Sequence, residues 1–590
     1  MPAPQSGTTA HGWAVRIMVA LAPIWLFGIL DRGLWTPDEP READIAWRMS
    51  QQSDRTLPEL AGTPFLEKPP LSYWMSAAGL GLFGDSPAAA RSPNILYAVL
   101  TALAVGTLAL AMSESAAAAV VAALVAGTGI IVFRVTVWLA PDACLLAGCA
   151  ISLLGAYLGY MSPAGRRKLL GYCLMHAGAA MGFMAKSAPG WMAPALALGA
   201  VILWERRWSE LARWELYAGF LLQGLIIGPW IFAVTRTAHG GDALMALFWH
   251  NLVGRFTKIS APASLDYSTG HKAAPGKYFI ELPVYLLPWT LLVAAALYRA
   301  WSKVREAGRP GTPWRFAVSA SIPFLGVLSL AATARDIYSA PALLGFAVLV
   351  ALWIQEAQRS PTRVDALAVR STRWVVTCLA CVFASFPLAL GIAGAQPLYF
   401  LATAFVLIFT IGAMRLSARA QANGNLYDSF RWTYVAYVAA VCVMAIPTFP
   451  NIDRWQDLPL LARQIHADAE HSQLALLDPD ETTIAMLDHG LRTPFTILNY
   501  DSDRPGEAAR TPAQLVSNWF NTHGPGARVL VLLPGHAPGG LSRLLEHFRH
   551  VKAPDDGTAD ALRSQGIASV ERRYELPQGR RYALLAPTVR

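Results

Sequence analysis

The chain alternates long apolar runs with short polar loops, and this pattern predicts a helical membrane protein. Its first apolar run, Trp13 to Leu30, is too long and too uniformly apolar for a cleaved signal and is predicted to remain as a membrane helix. Further runs approach the roughly 20 residues that span a bilayer. They lie at about 88–112, 115–133, 142–161, 169–186, 190–204, 216–234, 278–300, 316–333, 338–354, 374–392, 397–413 and 432–449. Together the runs predict about thirteen membrane-spanning helices.

A charged, proline-rich segment, Trp35 to Leu71, interrupts this pattern after the first run. Pro40 suits the first turn of a helix whose positively polarised N-terminus carries Asp38 and Glu39. The apolar residues that follow give this helix one apolar surface, so we expect it to lie along the membrane rather than cross it. Leu71 to Phe83 is apolar but too short to span, which predicts a second interfacial helix.

Composition and charge agree with this architecture. The 590 residues are 54% apolar and only 15% charged, against roughly 25% charged residues in soluble proteins. The net charge of +9 does not indicate nucleic-acid binding, because the basic residues sit in short loops between apolar runs. By the positive-inside rule, these loops predict a cytoplasmic N-terminus. In a bacterium, the loops at 31–87 and 235–277 and the C-terminus then lie on the periplasmic side of the inner membrane.

The character of the sequence changes at about Pro450, after the last spanning run. Helical patterns alternate there with apolar stretches typical of strands. The strand-like stretches are Gln473 to Leu477, Phe495 to Leu498, Arg528 to Leu533 and Arg581 to Leu585. We therefore predict an all-α polytopic membrane domain at 1–449 and a small α/β domain at 450–590.

Charged residues close to the bilayer indicate a candidate site. The segment from Trp35 to Leu71 contains Asp38, Glu39, Arg41, Glu42, Glu67 and Lys68, and three further periplasmic segments contain Asp142, then His250, Asn251, Arg255 and Lys258, then Arg335, Asp336 and Tyr338. Four of them have a simpler explanation when taken singly: Asp142 as a helix cap, His250 as a core histidine, Lys258 as a solvated charge and Tyr338 as an interfacial aromatic residue. Together, carboxylates and cations near one membrane face predict a wet cavity that binds an anionic, membrane-embedded substrate.

Several motifs occur here in the order of a known enzyme family. They are the Asp38-Glu39 pair, EKPPLSYW at 67–74, the acid Asp142, KSAPG at 186–190, NLVGRF at 251–256 and YSAP at 338–341. In this layout the chain resembles the polyprenyl-phosphate-dependent glycosyltransferases of the GT-C type, over roughly residues 13–350. About thirteen spans followed by a small periplasmic α/β domain are most similar, within that family, to bacterial transferases that add 4-amino-4-deoxy-L-arabinose (aminoarabinose) to lipid A.

The resemblance implies an inverting glycosyltransferase. Its donor would be undecaprenyl phosphate carrying aminoarabinose, its acceptor a lipid A phosphate on the periplasmic leaflet, and its outcome resistance to polymyxin and other cationic antimicrobial peptides. By this resemblance, Asp38, Glu39 and Asp142 are the catalytic or sugar-selecting carboxylates, and Arg41, Lys68, Arg255 and Tyr338 are the donors to phosphate. Because a lipid A phosphate already carries an attacking anion near neutral pH, Asp38 is expected to position its neighbours rather than act as a base.

Two questions stay open at this point. This chemistry requires no cofactor, but Glu67 and His250 have donor types that suit Zn²⁺ or Mn²⁺, whereas a direct ion pair of Glu67 with Lys68 or Arg41 is the alternative. The EKPPL and Asp-Glu motifs are shared with protein O-mannosyltransferases, so a mannosyl donor and protein hydroxyl acceptors are a second functional hypothesis. A lipid-linked sugar transporter is the third, and its site is expected nearer the membrane midplane.

Overall fold

The protein is described here by a computed structural model that covers residues 12–250, 253, 274–306, 308–331, 335–394, 397–498, 511–534 and 557–588, without the side chains of His250 and Leu491. Most of these residues are helical. The helices before the C-terminal domain are α1 (Gly12–Ile29), α2 (Asp38–Gln51), α3 (Leu71–Phe83), α4 (Pro87–Arg91), α5 (Pro93–Ser113), α6 (Ala116–Thr128), α7 (Ile130–Val137), α8 (Asp142–Met161), α9 (Arg166–Lys186), α10 (Pro189–Glu205), α11 (Trp214–Thr235), α12 (Gly240–Met245), α13 (Lys277–Tyr285), α14 (Thr290–Lys303), α15 (Thr312–Ser319), α16 (Ile322–Leu328), α17 (Ala340–Arg359), α18 (Arg363–Ile392), α19 (Leu398–Ala422) and α20 (Leu426–Trp455). A two-stranded sheet, β1 (Glu59–Leu60) with β2 (Thr63–Pro64), lies between α2 and α3.

Eight of the described helices are long and apolar enough to cross a membrane, or up to ten if each of two bent helix pairs counts as one span. The bent pairs are α6 with α7, at 70°, and α13 with α14, at 118°. Three further predicted runs coincide with α9, α10 and the α15–α16 pair, which do not pass this test of length and composition. The prediction of a multi-pass helical membrane domain is confirmed, whereas the count of about thirteen spans stays a prediction.

Both helices predicted for the charged segment form. Helix α2 begins at Asp38 and has Pro40 in its first turn, where a missing backbone N–H costs nothing. Helix α3 follows Pro70 and covers the predicted residues. The two helices share an apolar cluster that includes Ile45, Met49 and Tyr73. The polar N-terminal end of α2 is therefore held in place by apolar packing further along the same helix.

Close packing of α8, α9 and α10 fixes one wall of the site described below. A Cβ added at Gly155 of α8 would lie 2.2 Å from the backbone nitrogen of Met175 on α9. A Cβ added at Gly190 of α10 would lie 2.3 Å from the carbonyl carbon of Gly182 on α9. Small residues let membrane helices approach this closely. As a result, α10 begins directly against the last turn of α9.

A small α/β domain follows α20, which runs through the predicted boundary at Pro450 to Trp455. Its helices are α21 (Leu458–Ala469), α22 (Glu481–Leu491), α23 (Pro512–His523) and α24 (Thr558–Ser564), and its strands are β3 (Gln473–Leu477), β4 (Thr496–Leu498), β5 (Ala527–Leu533), β6 (Ala568–Glu575) and β7 (Arg581–Pro587). The sheet order is β4-β3-β5-β7-β6, with β3 parallel to β4 and β5, and β7 antiparallel to β5 and β6. The predicted fold class is confirmed, although the sequence pattern did not predict β6.

Candidate active site

A cavity of about 200 Å³ that contains charged side chains lies where α2, the loop before α3, the start of α8, the α9–α10 turn and the residues before α17 meet. Its charged lining consists of four carboxylates and four cations: Asp38, Glu42, Glu67, Asp142, Arg41, Lys68, Lys186 and Arg335. Apolar side chains close other parts of the wall, among them Met192, Phe324 and Leu328. The cavity therefore holds a formally neutral set of charges in a largely apolar surrounding.

Asp38 binds Arg335 in a two-pronged pair. Both terminal nitrogens of Arg335 donate to the carboxylate, at 3.0 and 2.6 Å, and Arg41 lies 3.6 Å from the same group. Burial alone would raise the pKa of Asp38, but the hydrogen bonds and charge of Arg335 outweigh it and lower this pKa to about 2. Asp38 is thus an ionised acceptor at any physiological pH. This geometry fits the predicted positioning role, with Arg335 as the principal partner.

Glu42, which is buried, holds two cations at the cavity wall. Its Oε1 atom accepts hydrogen bonds from Lys68 Nζ at 3.0 Å and from Arg41 at 2.6 Å. Burial acts to raise the pKa of Glu42, yet the charges of Lys68 and Arg41 lower it below its ordinary value. Arg41 also bonds Glu481 of the C-terminal domain. Lys68 and Arg41 both lie close to the ring of Phe65, at 5.5 and 5.4 Å from its centroid.

Asp142 and Lys186 form a third charged pair, from the first turn of α8 and the last residue of α9. Lys186 Nζ donates to both carboxylate oxygens of Asp142, at 2.6 and 2.7 Å. The same ammonium lies 4.3 Å from the ring centroid of Tyr338, within the range of a cation–π interaction. The glycine packing of α8, α9 and α10 sets this pair in register. Asp142, Lys186 and Tyr338 therefore occupy one wall of the cavity.

The structure does not bring Glu39 to the cavity, which corrects its assignment as a catalytic carboxylate. Glu39 is fully buried on another side of α2. Its oxygens accept hydrogen bonds from Arg32, from the backbone N–H of Trp35 at 2.8 Å and from that of Leu139 at 2.8 Å, and Arg91 lies 3.5 Å away. A carboxylate with its oxygens occupied in this way serves to hold α2 against the start of α8. Glu39 is a structural residue.

The remaining predicted site residues fall into two groups. Glu67 and Tyr338 line the cavity as expected. Arg255, Asn251 and Lys258 lie outside the described residues, as does the side chain of His250. Within the described part of the chain, no group of three or more His, Cys, Asp or Glu side chains is placed to hold a metal ion. The pairing of Glu67 with His250 at a cation is thus not tested.

Sequence reasoning assigned no role to two cations that the structure places in the cavity. Lys186 opens the KSAPG motif, and Arg335 lies three residues before Tyr338. Lys186 lies in a family motif and Arg335 was one of the charged residues near the membrane face, but no neighbouring residue in the sequence indicates the carboxylate that each one binds. Glu42 was part of the charged cluster without an assigned role. Its contact with two cations shows that it organises the cavity wall.

Comparison with known proteins agrees with the resemblance read from the motifs. Residues 67–233 match the family described as dolichyl-phosphate-mannose-protein mannosyltransferase. A protein from Serratia proteamaculans is 28% identical over 289 residues, which cover 49% of this chain and 50% of the relative. A protein from Edwardsiella ictaluri is 31% identical over 348 residues, which cover 58% and 59%. Both carry the name undecaprenyl phosphate-alpha-4-amino-4-deoxy-L-arabinose arabinosyl transferase. The chain thus matches about half of the length of the first of these relatives and less than two thirds of the second.

Two solved structures share the fold over almost the whole chain. The crystal structure of ArnT from Cupriavidus metallidurans bound to undecaprenyl phosphate has a TM-score of 0.70 at 18% identity, with 98% of each chain covered. The apo state of that protein has a TM-score of 0.68 at 17% identity, with the same coverage. This chain therefore shares with them the architecture of a helical membrane domain followed by a small α/β domain.

Proposed function

We propose that the protein is an inverting glycosyltransferase that moves aminoarabinose from undecaprenyl phosphate to a phosphate of lipid A, and so supports resistance to polymyxin and other cationic antimicrobial peptides. The observation that carries this proposal is the cavity in which Lys68, Arg41, Lys186 and Arg335 converge. Cations fixed in a low-dielectric cavity suit a phosphate at the membrane surface. The name shared by the relatives supplies the sugar and its carrier.

The proposed location is the bacterial inner membrane, with the cavity open to the periplasm. The N-terminus is then cytoplasmic, and the C-terminal domain is periplasmic beside the cavity. The basic loops of the sequence support this orientation. The contact between α2 and the C-terminal domain is consistent with it, because both must lie on the same side of the membrane.

The paired charges of the cavity suit an exchange of partners. Asp142, Glu42 and Asp38 orient the cations before a substrate arrives, which reduces the ordering that binding requires. An entering phosphate then competes for cations that are already in place. A carboxylate released by this exchange, such as Asp142, is available to the sugar's 4-amino group, which is cationic near neutral pH.

In the proposed reaction, a lipid A phosphate oxygen attacks the anomeric carbon of the sugar from the face opposite the carrier. A bond forms between that oxygen and the carbon as the bond from the carbon to the undecaprenyl phosphate oxygen breaks, with inversion. The leaving phosphate gains negative charge, which Lys68 and Arg41 are placed to stabilise. We propose that Arg255 and Tyr338 add further donors. No proton has to be removed from the acceptor, because its phosphate is already ionised near neutral pH.

The proposed steps use no cofactor, and a divalent cation held by Glu67 and His250 is the alternative. A carboxylate and an imidazole suit Zn²⁺ or Mn²⁺. Treatment of the purified protein with a chelator decides between the two. Unchanged transfer supports the reaction without a metal, and lost transfer that either ion restores supports the alternative.

A second candidate function is mannosyl transfer to protein hydroxyls. The observation that favours it is the match of residues 67–233, which contain Lys68, Asp142 and Lys186, to the mannosyltransferase family. The purified protein is to be given undecaprenyl phosphate–aminoarabinose or a polyprenyl phosphate–mannose, each with lipid A and with a serine- and threonine-containing peptide. Our proposal is supported if aminoarabinose is transferred to lipid A and the other three combinations of donor and acceptor give no product. Transfer of mannose to the peptide overturns it.

A further inference from the structure

Helix α22 of the C-terminal domain lies against α2, the helix that supplies three charged residues to the cavity. Ala485 of α22 is buried in the same apolar cluster as Ile45 and Met49 of α2. On α2, Arg41 and Arg48 lie seven residues apart, so they share one face of the helix. The contact is therefore a packed interface with an apolar centre.

Polar contacts hold both ends of this interface. At the N-terminal end of α2, Glu481 bonds Arg41, and the Thr482 hydroxyl donates to the backbone oxygen of Pro37 at 3.2 Å. Two turns further along, Arg48 Nε donates to Asp488 at 2.7 Å. The first turn of α22 thus reaches the first turn of α2, which is the part that faces the cavity.

Arg41 is the residue through which this interface reaches the cavity. Its Nε and one terminal nitrogen donate to Glu42, at 3.2 and 2.6 Å, while the other terminal nitrogen donates to Glu481. A guanidinium is planar, so acceptors on two edges fix its orientation. Glu42 belongs to the membrane domain, but Glu481 does not. One of the two acceptors that fix Arg41 therefore comes from the C-terminal domain.

We propose that Glu481 is a positioning residue of the cavity, and that the C-terminal domain in this way completes the phosphate site of the membrane domain. This inference rests on the function proposed above. Without the Glu481 carboxylate, Glu42 and Asp38 attract Arg41 from within the membrane domain, and the nitrogen that Glu481 now holds loses its fixed direction. An incoming phosphate then has to order that donor itself, which weakens its stabilisation in the transition state.

The chain offers a matched pair of variants for the test. Glu481→Gln keeps the size of the side chain and removes its charge. Asp85→Asn is the control, because Asp85 also links the membrane domain to α22, through His489 at 3.0 Å. The two acidic side chains are similarly exposed, at 45% for Glu481 and 47% for Asp85. Of these two acidic residues, Glu481 contacts a residue that lines the cavity, Arg41, whereas Asp85 contacts His489, which does not line it.

The expected result is a loss of about fivefold in kcat for sugar transfer with Glu481→Gln, the size that a partly exposed ion pair provides. Asp85→Asn is expected to retain the wild-type kcat. In both variants, the melting temperature is expected to change by no more than it does in a typical surface substitution. In an Arg41→Lys background, Glu481→Gln is expected to cause no further loss, since two residues that act through one contact are not additive. Equal kcat for the two single variants, or a full fivefold loss in the Arg41→Lys background, overturns the proposal.

A binding measurement separates this inference from the proposed function. Undecaprenyl phosphate alone is titrated into the wild type, Glu481→Gln and Asp85→Asn. If the wild type binds it but transfers no aminoarabinose, the proposed function fails while the positioning role is still decided. Weaker binding by Glu481→Gln than by Asp85→Asn then supports that role, and equal binding overturns it. A wild type that neither transfers nor binds rejects both proposals.

Discussion

Replacement of Asp38 distinguishes a positioning carboxylate from a catalytic base. Asp38→Asn keeps the shape of the side chain and one acceptor for Arg335 but removes the charge. Asp38→Ala removes both acceptors and leaves the paired nitrogens of Arg335 without this partner. If Asp38 only orients its neighbours, the Asn variant should keep measurable transfer and the Ala variant should lose more.

The structure sets the size of the two effects. A carboxyl group whose pKa falls from 3.8 to about 2 has its ionised form stabilised by about 2 kcal/mol. If the whole of that interaction is required in the transition state, Asp38→Asn has an upper limit of about thirtyfold loss in rate. Asp38→Ala also leaves the partly buried donors of Arg335 without this partner, which costs about a further 1 kcal/mol, or roughly fivefold.

The assay is single-turnover transfer to lipid A, with equal amounts of folded protein, between about pH 5.5 and 8.5. Because the pKa of Asp38 lies near 2, its carboxylate does not titrate in this range, and the wild-type rate should show no step from the titration of Asp38. The positioning role of Asp38 is refuted if the Asn variant is as inactive as the Ala variant and the wild-type rate rises through a carboxylate-like pKa. That result would indicate a base acting on a hydroxyl acceptor.

Three further predictions concern packing, pH and topology. Gly190→Ala should destabilise the protein by about 2 kcal/mol and reduce transfer, because its Cβ would lie 2.3 Å from Gly182, whereas Gly199→Ala, with nothing within 4 Å, should leave the melting temperature unchanged. Burial and the neighbouring Asp488 raise the pKa of Asp44 despite the nearby charge of Arg48. The proton bound to Asp44 therefore stabilises the folded protein. This stabilisation is fully present below the unfolded pKa of about 4 and is lost as the pH rises through the folded pKa. Asp44→Asn should therefore flatten the fall in melting temperature toward alkaline pH, and an unchanged fall would contradict this assignment. A reporter that works only in the cytoplasm should be silent when fused to the C-terminus, and its activity would overturn the proposed orientation.

Local signals in the sequence were sufficient for most of the fold. Helix α21 covers the predicted residues because Asp457 caps it and a proline occupies its first turn. The missed strand, β6, lies at the edge of the sheet and contains Glu571, Arg572 and Arg573. Charged side chains are typical of an edge strand, which they protect from pairing with other chains, but they conceal the alternating pattern by which a strand is recognised.

The candidate site was less predictable, because its geometry depends on packing between distant segments. Asp38 and Glu39 are adjacent, yet one lines the cavity and the other is buried among arginines, since successive helix residues point about 100° apart. The sequence does not specify how α2 is rotated. Likewise, Arg335 binds a carboxylate 297 residues away and Lys186 one 44 residues away. Only the folded chain shows these pairs.

The most direct test of the proposed function is the mass spectrum of lipid A from three strains: cells that lack the protein, and the same cells complemented with the wild type or with Lys68→Ala. Lys68 lines the cavity beside Arg41, and loss of one cation from a partly buried phosphate site should cost about 2 to 5 kcal/mol. We predict aminoarabinose on lipid A phosphate with the wild type, and its near absence with Lys68→Ala at equal protein levels. Lipid A that is identical in all three strains, together with a glycosylated periplasmic protein that requires the wild type, would contradict the account.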